Sequence, residues 1–153
     1  MRFVLITLAA SLVAATPALA NEARVEARVG EVWDSSDNEE IAGVAVGYDY
    51  DLGTTAFVGA EVSADKLLTS GTKVSFGFSG RLGAKVMENG KLYAAGGYNT
   101  EVCDGCEGAW TLGAGYQHSF GKFYGKVEYR HFFNENAIFT DTDAALVGLG
   151  IKF

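Results

Sequence analysis

The sequence predicts an all-β fold in which eight antiparallel strands, joined as an up-and-down meander, close into a single barrel. Three observations carry this. Eight segments alternate apolar residues with small or polar ones at a period of two, the side-chain period of a strand. The connections between them alternate between long polar stretches and brief turns, as successive hairpins require. Glycine is plentiful, at 20 of 153 residues, and proline occurs once, at Pro17, so long helices are disfavoured and strand ladders run uninterrupted.

The first segment of the chain stands apart. "MRFVLITLAASLVAATPALA" has Arg2 as a positive start, an apolar stretch from Phe3 to about Ala15, a helix breaker at Pro17 and the small-residue pattern Ala18-Leu19-Ala20. It reads as a secretory signal peptide over residues 1–20, with cleavage expected after Ala20. A membrane-anchoring helix fits less well, because the apolar run is shorter than the roughly 18 to 20 residues that span a bilayer. Residues 21–153 then form one domain of 133 residues. All 19 acidic residues but only 11 of the 12 basic ones lie in it, for a net charge of −8, which excludes nucleic acid as a partner.

The eight runs follow in order. Run one, 23 to 33, sets Val25, Ala27 and Val29 against Arg24, Glu26 and Arg28. Run two, 41 to 52, sets Val44, Val46, Tyr48 and Tyr50 against Gly43, Ala45, Gly47, Asp49 and Asp51. In run three, from 55, Val58, Ala60 and Val62 oppose Gly59, Glu61 and Ser63, and in run four, from 73, Val74, Phe76, Phe78 and Leu82 oppose Ser75, Ser79, Arg81 and Lys85. Runs five and six, from 91 and 109, place Leu92, Ala94 and Tyr98, then Trp110, Leu112, Ala114 and Tyr116, on the apolar side. Run seven, from 123, alternates Phe123, Val127 and Tyr129 with Lys126, Glu128 and Arg130. Run eight, 144 to 153, has Ala145, Val147, Leu149, Ile151 and Phe153 on one side.

An even number of strands about 9 to 11 residues long suits a small transmembrane barrel. Longer polar stretches follow runs one, three, five and seven ("DSSDNEE", "DKLLTSGT", "TEVCDGCEG", "NENAIFTDTD"), and brief turns near "LGT", "MENG" and "FGK" follow the others. Turns and termini are expected on the periplasmic side. Apolar-side aromatics gather at strand ends: Trp33, Tyr98, Trp110 and Tyr129 near the loops, and Tyr48, Tyr50, Tyr116, Phe123 and Phe153 near the turns. Two such girdles mark the two interfaces of a bilayer, while Phe76 and Phe78 lie deeper. A soluble lipocalin-like or avidin-like barrel has equally regular alternation facing the other way. The aromatic ends, the signal peptide and the bare terminal Phe153 favour lipid outside, hence an eight-stranded antiparallel transmembrane β-barrel in the outer membrane of a Gram-negative bacterium.

The stretches "VAVGYDYDLG", "GAGYQHSFG", "GKVEYRHF" and the Phe-terminated "VGLGIKF" resemble the opacity-like and OmpA-type small outer-membrane barrels, over essentially the whole of residues 21–153. The resemblance implies a porin-family-like architecture and says little about activity. It also implies that Val147, Leu149, Ile151 and above all Phe153 form the signal read by the barrel assembly machinery, with periplasmic chaperones and outer-membrane lipid as further partners. The resemblance is to the barrel alone, so an anchoring role through the peptidoglycan-binding domain of full-length OmpA is not implied.

Ten charged residues project to the wet side by parity: Arg24, Glu26, Arg28, Asp49, Glu61, Arg81, Lys126, Glu128, Arg130 and Lys152. An eight-stranded lumen is just wide enough for side chains to fill. Unpaired charge there is costly, so these residues are expected to pair into a closed network, with Glu128 close to basic partners on neighbouring strands. The competing expectation is a water thread left by the inward glycines Gly43, Gly47, Gly113, Gly115, Gly148 and Gly150, making a narrow low-conductance pore.

Cys103 and Cys106, in "CDGC", lack the context of a thioredoxin-like or zinc site, and in an oxidising compartment a loop-clipping disulfide is expected. Asp34, Asp37, Glu39 and Glu40, then Glu101, Asp104 and Glu107, then Glu135, Asp141 and Asp143 make three long loops acidic. They are available to a surface ligand, or to calcium or magnesium bridging to headgroup phosphate, though solvated loops are the plainer expectation and no metal or cofactor site is predicted. "YRHFFNENA" is similar to the region where lipid A deacylase barrels carry a His followed two residues later by Ser, but Phe133 stands in that place here, and His118-Ser119 lies at the other end of the barrel. No catalytic constellation results, and an enzyme is not expected. The function expected is structural or adhesin-like, at the cell surface.

Overall fold

Each alternating run forms a strand because only a sheet edge-to-edge with itself satisfies its backbone while sending its two kinds of side chain to opposite faces. The computed structural model describes residues 21–34, 37–133 and 141–153. The eight strands are β1 (Glu22–Trp33), β2 (Asn38–Leu52), β3 (Ala56–Leu67), β4 (Val74–Val86), β5 (Gly90–Asn99), β6 (Ala109–Phe120), β7 (Phe123–Phe133) and β8 (Thr142–Lys152). Neighbours in sequence pair antiparallel, and β8 returns to β1, so the sheet is a closed barrel in the order β1 to β8. Closure runs from Arg24 opposite Lys152 to Trp33 opposite Asp143. Beyond β8, Phe153 N donates to Ala23 O at 2.8 Å and Ala23 N to Phe153 O at 3.2 Å, holding the final residue against β1. The expected signal peptide, residues 1–20, lies outside the described residues.

The faces are inverted relative to a water-soluble barrel. Leu149 is 71% exposed, and Val29, Leu82, Leu112 and Phe78 are exposed around the wall, whereas Arg24 is 1% and Asp49 0% exposed. Charge inside and hydrocarbon outside is the arrangement that lipid demands, and the soluble alternative requires the opposite. The fold is therefore that of an eight-stranded transmembrane β-barrel. Its aromatic ends are also visible: Tyr98 meets Trp110 edge-on at 5.3 Å between centroids, and Trp33 lies 6.4 Å from Tyr129, both near the loop end. Phe133 belongs with them and Phe120 with the opposite girdle, both exposed and both missing from the expected sets.

The strands run further into the expected loops at three places: residues 65–67 belong to β3, Thr142 and Asp143 belong to β8, and β2 also starts early. β2 begins at Asn38, so Glu39 and Glu40 belong to a strand, and the first connection is only residues 34–37. Asp34 N donates to Asp37 O at 3.1 Å, and Asp37 N to Asp34 Oδ1 at 2.9 Å, tying the ends of β1 and β2 together. Polar strand ends are stable here because a strand that rises beyond the membrane no longer needs an apolar face. The other loop-end connections are residues 68–73, 100–108 and 134–141, of which 134–140, with Glu135, lie outside the described residues. The turns at the other end are 53–55, 87–89 and 121–122; Gly121 has φ 65°, the left-handed value that a two-residue hairpin turn favours.

Candidate functional site

The lumen is the most heavily constructed part of the molecule. Six cations (Arg24, Arg28, Arg81, Lys91, Lys126, Arg130) and five carboxylates (Glu26, Asp49, Glu61, Asp65, Glu128) are buried there. Nearest the turns, Asp49 accepts from Arg81 Nε at 2.8 Å, from Arg81 Nη2, and from Lys91 Nζ at 2.9 Å. Lys91 also donates to Glu22 at 3.0 Å, and Gln117 accepts from Arg81 at 3.2 Å. At mid-height Glu61 accepts from Arg24 at 2.5 Å and Arg28 at 2.9 Å, with Lys126 and Arg130 each at 3.7 Å. Lys126 lies 2.7 Å from Glu26, a charge contact without good hydrogen-bond geometry. Towards the loops, Asp65 takes Arg28 in a two-pronged contact of 2.7 and 2.5 Å, and a third bond from Ser63 at 2.8 Å.

The register explains how these side chains meet. Arg24 and Glu61 flank Gly47 in one row across β1, β2 and β3, and Arg28 and Asp65 flank Gly43 four residues on. Asp49 and Arg81 flank Gly59; Tyr93 and Glu128 flank Gly115; Glu26 and Tyr124 flank Gly150; and Phe57 and Tyr93 flank Gly83. Each glycine is a saddle over which two longer side chains from the flanking strands approach. A Cβ on Gly47 would meet the Arg24 guanidinium, one on Gly43 the Asp65 carboxylate, one on Gly115 the Tyr93 phenol and one on Gly150 the Tyr124 ring. Over Gly83, the Phe57 and Tyr93 rings form an aromatic floor beneath Arg81, whose guanidinium carbon is 5.3 and 4.8 Å from their centroids.

Beside the inward glycines, neighbouring atoms take up the space that a Cβ would need: the Glu26 side chain at Gly148, and the backbone of Tyr129 and Arg130 at Gly113. One expectation is corrected by this geometry. Glu128 has its basic partners on its own strand, Arg130 bonded to it and Lys126 at 3.5 Å, and its cross-barrel partner is the Tyr93 hydroxyl at 2.7 Å. Residues two apart share a face, so the same strand offers the nearest cation. Lys152 sits at the turn-end mouth, a quarter exposed, and joins the network through Glu22, which it meets at 3.1 Å and which Lys91 also meets. Sequence reasoning missed Asp65, Lys91, Gln117 and the inward aromatics Phe57, Tyr93 and Tyr124, although all share the inward parity of the residues it named.

At the loop end, Cys103 and Cys106 are bonded to each other, with Cα atoms 5.2 Å apart. Their loop is tied to β4 by Lys73 N to Val102 O at 2.7 Å and by the exposed Lys73–Asp104 ion pair, whose hydrogen bond holds the ammonium above its ordinary pKa. His131 Nδ1 lies 2.7 Å from Asp143 Oδ1, and the Phe133 ring, not a hydroxyl, packs on the imidazole at 4.6 Å. His118 sits at the opposite end, 3.1 Å from the Tyr116 hydroxyl. Among the described residues no group of three or more His, Cys, Asp or Glu is arranged to hold a metal.

No protein-family model matches the chain, and no curated protein matches it in sequence. Solved structures do match. The outer membrane enzyme PagL superposes with a TM-score of 0.61 at 14% identity, covering 84% of this chain and 98% of that one. The N-terminal β-barrel domain of Pseudomonas aeruginosa OprF gives 0.58 at 14%, covering 86% and 97%. Ail, the attachment invasion locus protein of Yersinia pestis, gives 0.55 at 16%, covering 88% and 99%. At these identities the likeness is one of fold: the chain has the architecture of the small outer-membrane barrels.

Proposed function

We propose that this protein is an integral outer-membrane barrel of a Gram-negative bacterium, exported by residues 1–20, with a structural or adhesin-like surface role and a lumen closed by paired charges. The observation that carries the proposal is the lumen itself. A conducting channel needs a continuous water-filled path, and the reading is supported by long side chains reaching over Gly43, Gly47, Gly115, Gly148 and Gly150 and by a carboxylate against each buried cation. The likeness to Ail, an attachment protein, and to the OprF barrel supports a surface or structural role. PagL shares the fold and is an enzyme, but the His131–Asp143 pair here has Phe133 where an acyl-transfer site needs a nucleophile, which favours a non-catalytic role. On this reading the acidic loop-end residues, Asp34, Asp37, Glu101, Asp104 and Glu107 among them, face any surface ligand.

Planar-bilayer recording tests the closed lumen. The purified barrel should give no steady conductance, and Arg81→Ala or Glu128→Ala should raise the leak by removing one side of a saddle pair. Reproducible small steps from the unsubstituted protein would instead establish a narrow pore. Binding to host or environmental surfaces by the intact barrel, lost on deletion of residues 100–108, would identify the surface role.

A further inference from the structure

The lumen changes character at one level near the loop end, and it does so on five strands independently. Beyond the charges, the inward positions become Val32 on β1, Ile41 on β2, Leu67 on β3, Phe132 on β7 and Leu146 with Ala144 on β8. If these residues simply plugged the mouth they would be fully packed. Instead Val32, Ile41, Leu67 and Phe132 are only half-buried, around a cavity of about 150 Å³. The charges on its floor are already engaged: Arg28 by Asp65 and Glu61, and Arg130 by Glu128. On that floor an ionic ligand finds no free counter-charge, and the rim carboxylate, Glu107, is exposed to water.

We propose that this loop-end cavity is a binding site for a small neutral hydrophobic molecule, about the size of a single aromatic ring. The volume is that of a cavity that takes up benzene, and its walls combine an apolar side, Val32, Ile41, Leu67, Phe132 and Leu146, with polar groups such as the Asn99 carboxamide that can meet a phenolic hydroxyl. The disulfide-stapled loop supplies one wall through Val102, with Glu107 at the rim. That wall is held by Ser75 Oγ donating to Thr100 O at 2.7 Å, Phe76 N donating to Thr100 Oγ1 at 2.9 Å, and the Lys73 contacts described above. The site stands whether or not the lumen conducts, so it does not depend on the closed-lumen reading.

Isoleucine-methyl NMR of the purified barrel in lipid nanodiscs, titrated with phenol, provides the test. Beyond residue 20 the isoleucines are Ile41, in the cavity wall, Ile138, and Ile151, on the lipid-facing side. Ile41 should shift saturably while Ile151 moves only linearly, as phenol partitions into lipid. Ala144→Leu, which fills the cavity, should abolish saturation while leaving the folded band-shift and Ile151 unchanged; Ala109→Val serves if that variant does not fold. Replacing Cys103 and Cys106 together by Ser should raise the midpoint about tenfold, the factor that the burial of one Val side chain supplies. Linear movement of Ile41 in step with Ile151, or saturation untouched by Ala144→Leu, overturns the proposal. A ligand-free cross-peak between the Ile41 and Ile138 methyls also overturns it, since residues 134–140 would then be the occupant.

Discussion

Glu61 is the shared carboxylate of the lumen, and replacing it by Gln removes one negative charge from beside four cations while keeping the shape. The structure limits the damage. Arg28 retains its two-pronged contact with Asp65 at 2.7 and 2.5 Å, Arg130 retains Glu128, and Lys126 retains Glu26 at 2.7 Å. Arg24 alone loses its direct partner, at 2.5 Å, and is left with Asp49 at 3.7 Å. The cost is therefore that of one broken buried pair, about 3–5 kcal/mol, and not several times that. Because an amide oxygen still accepts one bond, the lower end, about 3 kcal/mol, is expected. Removing the stranded cation as well, in the double variant Arg24→Met with Glu61→Gln, should recover at least about 2 kcal/mol. Urea-titrated reversible folding into lipid vesicles, read by the difference in gel migration between boiled and unboiled samples, measures both. A single-variant cost below about 1 kcal/mol, or a double variant no more stable than the single, would refute the pairing argument.

Three other outcomes follow from the same geometry. Val147→Lys, at the middle of β8 on the exposed face, should cost about 2–4 kcal/mol in lipid vesicles; a change within about 0.5 kcal/mol, as at a watery surface, would contradict the lipid-facing assignment. Gly115→Val should cost at least about 2 kcal/mol by driving the Tyr93 phenol from Glu128. The control is outward Gly80→Ala, whose new methyl has its nearest neighbour 3.9 Å away and should be close to neutral in the same titration. Deleting Phe153 removes two backbone bonds to Ala23, so refolding from urea should survive while folded barrel in the outer-membrane fraction of cells falls sharply; undiminished assembly would show that the terminal aromatic is not the assembly signal.

Parity made the wall legible and left the pairings hidden. Alternation in "ARVEARVGEVW" is enough to send Arg24, Glu26 and Arg28 inward, because a strand has only two faces. It cannot say that Arg24 meets Glu61, since that contact passes over Gly47 and depends on two registers at once. Asp65 and Lys91 were missed for a simpler reason: they stand at the ends of their runs, where polar character reads as the start of a loop, although continuing the count by two places both inside. At the inward glycines the sequence shows a missing side chain but not which neighbour reaches over it, as Arg24 does at Gly47. The ends of strands were the least legible, as in β2, where Glu39 and Glu40 carry a ladder that no hydrophobic pattern announces.

Buried ion pairs are a weak source of stability, since desolvation of both partners offsets most of their attraction. Their value in this barrel lies in specification. If the inward positions were apolar, each strand would be greasy on both faces, and a slip of one residue would present lipid with a surface as good as the native one. With Arg24, Glu61, Asp49 and Arg81 inward, the same slip drives charge into hydrocarbon and separates every pair from its glycine saddle. The charges therefore select one register, and the glycines between them are what allow the selection to be made within so narrow a lumen.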